Sequence, residues 1–242
     1  MYQWRLVSRC TSLRGAGSSI STLLRRFNSM YKKPSTTFER NAFRAGDDCV
    51  VGIDEVGMGC LAGPVVVCAV ALQASFFDAI HRELAGVRDS KLLSVAQREN
   101  LAERLAVCSG IVSSVAVVSP RDVDRYNVLH ASHRGMKKAI ERVINIMRPE
   151  SPRVLVDGNR SIPDIAYPQR SIVGGDRRVF LIACASILAK VHRDALMVRA
   201  SLRYPGYGFE HHKGYGTVLH YRQLAIHGPS PLHRRSFRGV AS

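Results

Sequence analysis

Residues 49–72, CVVGIDEVGMGCLAGPVVVCAVAL, decide the fold. CVVGI reads as a short strand, and DEVGMGCLAGP is a glycine-rich turn. VVVCAVAL is a continuous apolar run of strand length, so it reads as a buried strand. The acidic pair Asp54–Glu55 directly follows the first strand.

Working outward, residues 94–107 place Val95, Leu101, Leu105 and Val107 near helical spacing. Ser94 is the expected N-cap and Gln97 stands at the capping-box position. IVSSVAVV (111–118) reads as a strand. Residues 130–147 fit a helix with Ala131, Met136, Ala139, Ile140, Val143, Ile144 and Met147 on its apolar face. RVLV (153–156) is a strand ending at Asp157, and QRSIV (169–173) is a further one. VFLIACASILAKVHRDALMVRASL (179–202) predicts a long helix, apolar enough in its first half to be buried. GYGTVLHYRQLAIHG (214–228) predicts a last helix, ended by Gly228 and Pro229. The pattern is that of one α/β domain over residues 46–242 with a helical C-terminal part.

Residues 1–45 differ. The first 38 carry seven basic residues and no acidic one, which leaves +9 of the formal +16 on the rest of the chain. Their Arg- and Ser-rich composition with interleaved Leu, Val, Ile and Phe is that of an amphipathic import peptide. A disordered basic arm that helps hold nucleic acid is the other reading. Mitochondria are the expected location, the cytoplasm or nucleus the alternative. A body at +9 favours a polyanionic partner, nucleic acid before an anionic membrane surface. No apolar run is long enough to span a membrane. The cysteines at 10, 49, 60, 68, 108 and 184 form no C-x-x-C pair, and several lie inside apolar runs. Buried free thiols explain them better than zinc or disulfides.

Four acidic residues stand at element ends: Asp54 and Glu55 after the first strand, Asp157 after RVLV, and Asp176 in VGGDRR. Any one of them could be a turn former, and Asp176 could cap the helix that follows. Together they suggest a cluster strained by like charge unless cations bind. Mg²⁺ and Mn²⁺ prefer such oxygen ligands. Two such ions commonly cut phosphodiesters, one activating water and the other stabilising the leaving oxygen. The loop GMGCLAG offers backbone N–H groups at close range. A dinucleotide fingerprint is rejected, because position 62 is Ala and a strand, not a helix, follows. Lys91, Lys190, Arg193, Lys213, Arg234 and Arg235 are candidates for holding phosphates. Adjacent His211 and His212 point apart and lack further ligand spacing, so they make a poor metal site.

Across residues 49–237 the chain resembles ribonuclease HII, the bacterial-type member of the type 2 ribonucleases H. The resemblance rests on seven blocks in order: VGIDEVGMGCLAGPVVVCAV, DSKLLSVAQRENL, VDRYNVLHASHRGMKKAI, LVDGN, GGDRRVFLIACASILAKVHRDALM, YPGYGFEHHKGYGT and HGPSPLHRRSF. It implies a ribonuclease H-like mixed β-sheet flanked by helices. It also implies that Asp54, Glu55, Asp157 and Asp176 bind two divalent ions, Mn²⁺ or Mg²⁺, with Asp194 in support. Gly57, Met58 and Gly59 match the loop whose backbone reads the ribose 2′-hydroxyl. Tyr215 matches the tyrosine that stacks on a sugar at the RNA-to-DNA junction, and Lys91 and Lys190 are placed as further substrate contacts. The implied partner is an RNA/DNA hybrid, or duplex DNA containing ribonucleotides, bound by a monomer with no membrane. Three positions depart from the family: Met58 replaces its arginine, Val56 its alanine and Cys60 its proline. A non-catalytic hybrid-binding protein is the alternative, favoured only by Met58. Fused to a fluorescent reporter, residues 1–45 are expected to carry it into mitochondria; a reporter left in the cytosol contradicts the import reading.

Overall fold

The computed structural model describes residues 33–84 and 86–240, so the import reading of residues 1–32 and Cys10 lie outside the described residues. Five strands form one sheet in the order β3-β2-β1-β4-β5. They are β1 Cys49–Val56, β2 Val65–Gln73, β3 Ile111–Val118, β4 Pro152–Asp157 and β5 Gln169–Ile172. The glycine-rich loop turns β1 straight back into β2, so this pair is antiparallel, as is β2 with β3. On its other side β1 runs parallel to β4, and β4 parallel to β5. The sheet is therefore mixed, and its sense changes at the central strand β1.

Eight helices accompany the sheet among the described residues: α1 Thr37–Arg44, α2 Phe77–Glu83, α3 Val95–Val107, α4 Pro120–Tyr126, α5 Val128–Met147, α6 Phe180–Arg203, α7 Phe209–His212 and α8 Val218–His227. The unbroken apolar run of β2 follows from helices on both faces. Val66, Cys68, Val70 and Leu72 pack in one core with α6 and α3. Val65, Val67, Ala69 and Ala71 pack in the other with α5. Two glycines let the long helices sit this close. A Cβ on Gly52 of β1 would overlap the backbone of Leu181 in α6, and one on Gly135 of α5 would stand 2.7 Å from Val118 Cγ2.

The structure corrects several expectations. β1 continues through Asp54 and Glu55 to Val56, because β2 goes on pairing with it after β4 has stopped at Ile53–Val156. Ser94 and Gln97 do form a capping box on α3, and Leu101 and Leu105 are buried. Val95 and Val107, however, are 60% and 81% exposed, so the helix uses a narrower face than expected. Asn127 caps α5 by accepting from the N–H groups of Leu129 and His130, starting the helix two residues early. Thr217, not Gly214, starts α8. The short helix α4 was not expected. The five cysteines from Cys49 to Cys184 are buried free thiols.

The boundary drawn at residue 45 also moves. α6 has Val179 as its N-cap residue, with no side-chain cap of its own. Glu39 of α1 supplies one from a distance, its Oε1 accepting from Leu181 N at 2.9 Å. Backbone bonds Ser35 N to Arg178 O and Phe180 N to Ser35 O tie the same segment down. Residues 35–44 thus belong to the folded body. Burial lifts the Glu39 carboxyl to about 7, opposed by backbone N–H groups. A folded-state pKa above the unfolded one gives stability that is full in acid and lost as pH rises through about 7. At pH 8, Glu39→Gln keeps the acceptor without the charge and should melt no lower than wild type. Glu39→Ala should lose about 1 kcal/mol, the scale of a lost cap, and melt several degrees lower.

Candidate active site

The carboxylates gather where β1 and β4 end. The parallel register runs Gly52–Leu155 and Ile53–Val156, so Asp54 and Asp157 come one step later, side by side on the α6 face of the sheet. Glu55, one residue on, turns to the α5 face. Asp176 arrives from the single 3-10 turn Gly175–Arg177 that leads into α6. Its preceding residue couples it to β4, since Gly175 N donates to Asp157 Oδ1 at 2.6 Å.

Asp54, Glu55, Asp157 and Asp176 line one cleft of about 440 Å³ together with Gly57, Met58, Gly59, Lys91, Lys190 and Tyr215. The four carboxylates, the glycine loop, Lys91, Lys190 and Tyr215 are therefore brought together, whereas Arg193, Lys213, Arg234 and Arg235 do not line the cleft. Asp194 stands outside; its Oδ1 accepts from Lys190 Nζ at 2.8 Å and so orients that lysine. Ser90 and Ser186, unremarked in the sequence, also line the cleft and bond to each other at 3.0 Å. Ser186 further bonds the Asp54 carboxyl. Its only sequence signal was a hydroxyl inside the apolar run ACASILA.

Burial, then the charges of Glu55 and Asp157, pushes the Asp54 carboxyl well above the usual carboxylate range. Burial and Asp157 lift Glu55 to about 7. Asp157 is raised as well, by burial and by Asp176. Asp176 is held by Lys91 Nζ at 2.9 Å, a contact that in turn raises the lysine. Packing three or four carboxylates this way opposes their ionisation unless positive charge arrives. The donor set, oxygen only, suits Mg²⁺ or Mn²⁺. Glu55 Oε2 is moreover buried with no hydrogen-bond partner, as a ligand oxygen would be. Among the described residues no three His, Cys, Asp or Glu side chains stand close enough to hold an ion between them. Lys91 and the Gly175 N–H already engage two of the four, so binding requires the carboxylates to turn inward. The chemistry of the group fits divalent cations.

The glycine loop is held from below by two arginines that the sequence offered as phosphate holders. Arg193 and Arg234 are both fully buried. Arg193 donates to the carbonyls of Pro64, Ala62 and Lys213 at 2.9, 3.2 and 2.8 Å. Arg234 donates twice to Gly63 O and once, at 2.9 Å, to Met58 O. They are not phosphate ligands; their charges are spent on loop carbonyls. Gly57, at φ +101°, must be glycine, since a Cβ would overlap the Arg193 guanidinium. The space a Cβ of Gly59 would enter is open. Lys213 bonds Glu210 O, and Arg235 is anchored by its backbone N–H on Asp124, so neither lines the cleft. His212 is buried and bonded to Tyr207 O and Gly214 N, away from any metal role.

Comparison with known proteins agrees with this geometry. The family described as Ribonuclease HII matches residues 51–240. A Ribonuclease HII of Nitratidesulfovibrio vulgaris is 45% identical over 199 residues, covering 78% of this chain and 86% of its own. One from Synechococcus elongatus is 42% identical over 206 residues, covering 84% and 93%. In three dimensions the chain is similar to a structure described as the PCNA:RNase HII complex from Archaeoglobus fulgidus. That match has TM-score 0.60 and 29% identity, and covers 77% of this chain and 92% of the other.

Proposed function

The chain belongs to the ribonuclease HII family, and we propose that its cleft hydrolyses the RNA strand of RNA/DNA hybrids and incises duplex DNA at single ribonucleotides. It is a ribonuclease H, an endonuclease by family. The observation that carries the site assignment is the cleft of four carboxylates, three of them displaced upward by burial and mutual repulsion. Divalent ions bound there would supply Lewis acidity, lowering the pKa of water and stabilising the leaving oxygen.

The chain's own groups do the rest. Asp54, Glu55, Asp157 and Asp176 would hold the ions beside the scissile phosphate. Ser186 keeps Asp54 turned toward the cleft. Lys91 and Lys190 meet phosphate oxygens, Lys190 in the direction set by Asp194. The backbone of Gly57, Met58 and Gly59 reads the 2′-hydroxyl, the one local group that marks RNA in such a duplex. A backbone readout does not call on the side chain at 58, and Arg234 fixes the carbonyl of Met58. Tyr215 stacks on the sugar next to the ribonucleotide. The products are a 3′-hydroxyl and a 5′-phosphate. Import into mitochondria, with the protein acting as a monomer on DNA, completes the proposal.

The test is a labelled DNA duplex with one ribonucleotide, incubated with Mg²⁺ or Mn²⁺. Wild type should nick it at the ribonucleotide, and EDTA should stop the reaction. Asp157→Asn should retain at most about 1% of the rate, the loss expected when a member of a shared charge-stabilising set is removed. Duplex binding with no metal-dependent nick would favour the hybrid-binding alternative instead.

A further inference from the structure

Tyr215 lies in the loop that joins α7 to α8, where Lys213 and Gly214 both take positive φ. Such a loop needs anchors to present one side chain in one place. Tyr215 N donates to His212 O at 2.9 Å. The Tyr215 side chain bonds that of Cys60, and its ring lies 5.9 Å from Lys190 Nζ. Its carbonyl is 2.9 Å from His220 Nδ1.

That last contact continues inward. His220 Nε2 is 3.1 Å from His233 Nε2, and both rings are buried. The partners assign the protons. Ser230 N–H donates to His233 Nδ1 at 3.0 Å, so the His233 proton is on Nε2. A carbonyl cannot donate, so the His220 proton is on Nδ1, leaving its Nε2 to accept from His233. His212 stacks on His220 at 4.2 Å, accepts Gly214 N–H on Nδ1 and donates from Nε2 to Tyr207 O. Burial depresses all three imidazoles, which keeps them neutral. Every ring nitrogen thus has a partner, His233 Nδ1 both Ser230 N and Ser230 Oγ, and no lone pair is left for a metal.

We propose that the His233–His220 pair is a positioning device for Tyr215: two imidazoles hydrogen-bonded in series fix the Tyr215 carbonyl, and with it the seat of the ring in the cleft. The proposal rests on Tyr215 being a substrate contact. It gives a role to buried polar groups that the core does not need and the carboxylates do not touch.

Two substitutions at one position separate positioning from packing. His220→Asn puts an amide donor where Nδ1 stood and gives up His233. His220→Gln reaches toward His233 and gives up the Tyr215 carbonyl. Each loses one buried hydrogen bond, so their melting temperatures should fall alike. On the single-ribonucleotide duplex, His220→Gln should raise KM about as far as Tyr215→Ala, roughly tenfold, with kcat nearly unchanged. His220→Asn, which keeps the carbonyl contact but breaks the link to His233, should raise KM by only about twofold, and His220→Gln should add nothing in a Tyr215→Ala background. Should His220→Gln not fold, His233→Ala, one step further out, is expected to raise KM in the same direction by less. The proposal is overturned if Asn at 220 harms KM as much as Gln, or if the two losses add independently. Tyr215→Ala with unchanged KM overturns the substrate-contact reading itself, and the proposal with it.

Discussion

Mutual repulsion among buried carboxylates is the constraint around which this structure is arranged. Asp54 and Asp157 end neighbouring parallel strands on the same face, and Asp176 is delivered beside them by the turn that opens α6. None of this is cheap in isolation, since burying ionised carboxylates is costly unless they are paired. The surroundings offset part of it through the Ser186 hydroxyl, the Gly175 N–H and the Lys91 ammonium. What they do not offset shows in the raised carboxyls of Asp54, Glu55 and Asp157. That remainder is the repulsion that bound divalent cations would relieve.

The same strands and helices make the rest of the cleft. Gly52 lets α6 lie against β1, which brings Ser186 to Asp54 and Lys190 to the rim. Glu39 caps the start of α6, just after Asp176, so a segment far away in sequence steadies the turn that carries a carboxylate. Arg193 and Arg234 hold the glycine loop by its carbonyls, leaving its outer side open to a ligand. The site is thus built on backbone groups fixed by buried side chains, which suits recognition of a small hydroxyl better than long surface side chains would.

How much of this was legible follows from what each residue signals locally. The buried strand β2 and the apolar half of α6 announced themselves, because residues packed on both sides leave an unbroken apolar run. The four carboxylates stood out against apolar or glycine-rich neighbours. Arg193 and Arg234 did not, because an arginine reads as surface charge whether it faces phosphate or a ring of buried carbonyls. Glu39 sat just past a basic stretch whose composition argued against ordered structure, and its partner Leu181 is 142 residues away. The histidines of the 212–220–233 cluster are spread over separate blocks, so only the fold could show that they share protons. Val95 and Val107 fit a helical period and still face solvent, since periodicity fixes a face but not its width.

Mn²⁺ binding, measured by calorimetry at neutral pH on wild type and Asp157→Asn, tests the central claim most directly. The account predicts saturable binding by the wild type, accompanied by proton release as the raised carboxyls ionise, and affinity at least about tenfold weaker in the variant. Identical isotherms for the two proteins would contradict it.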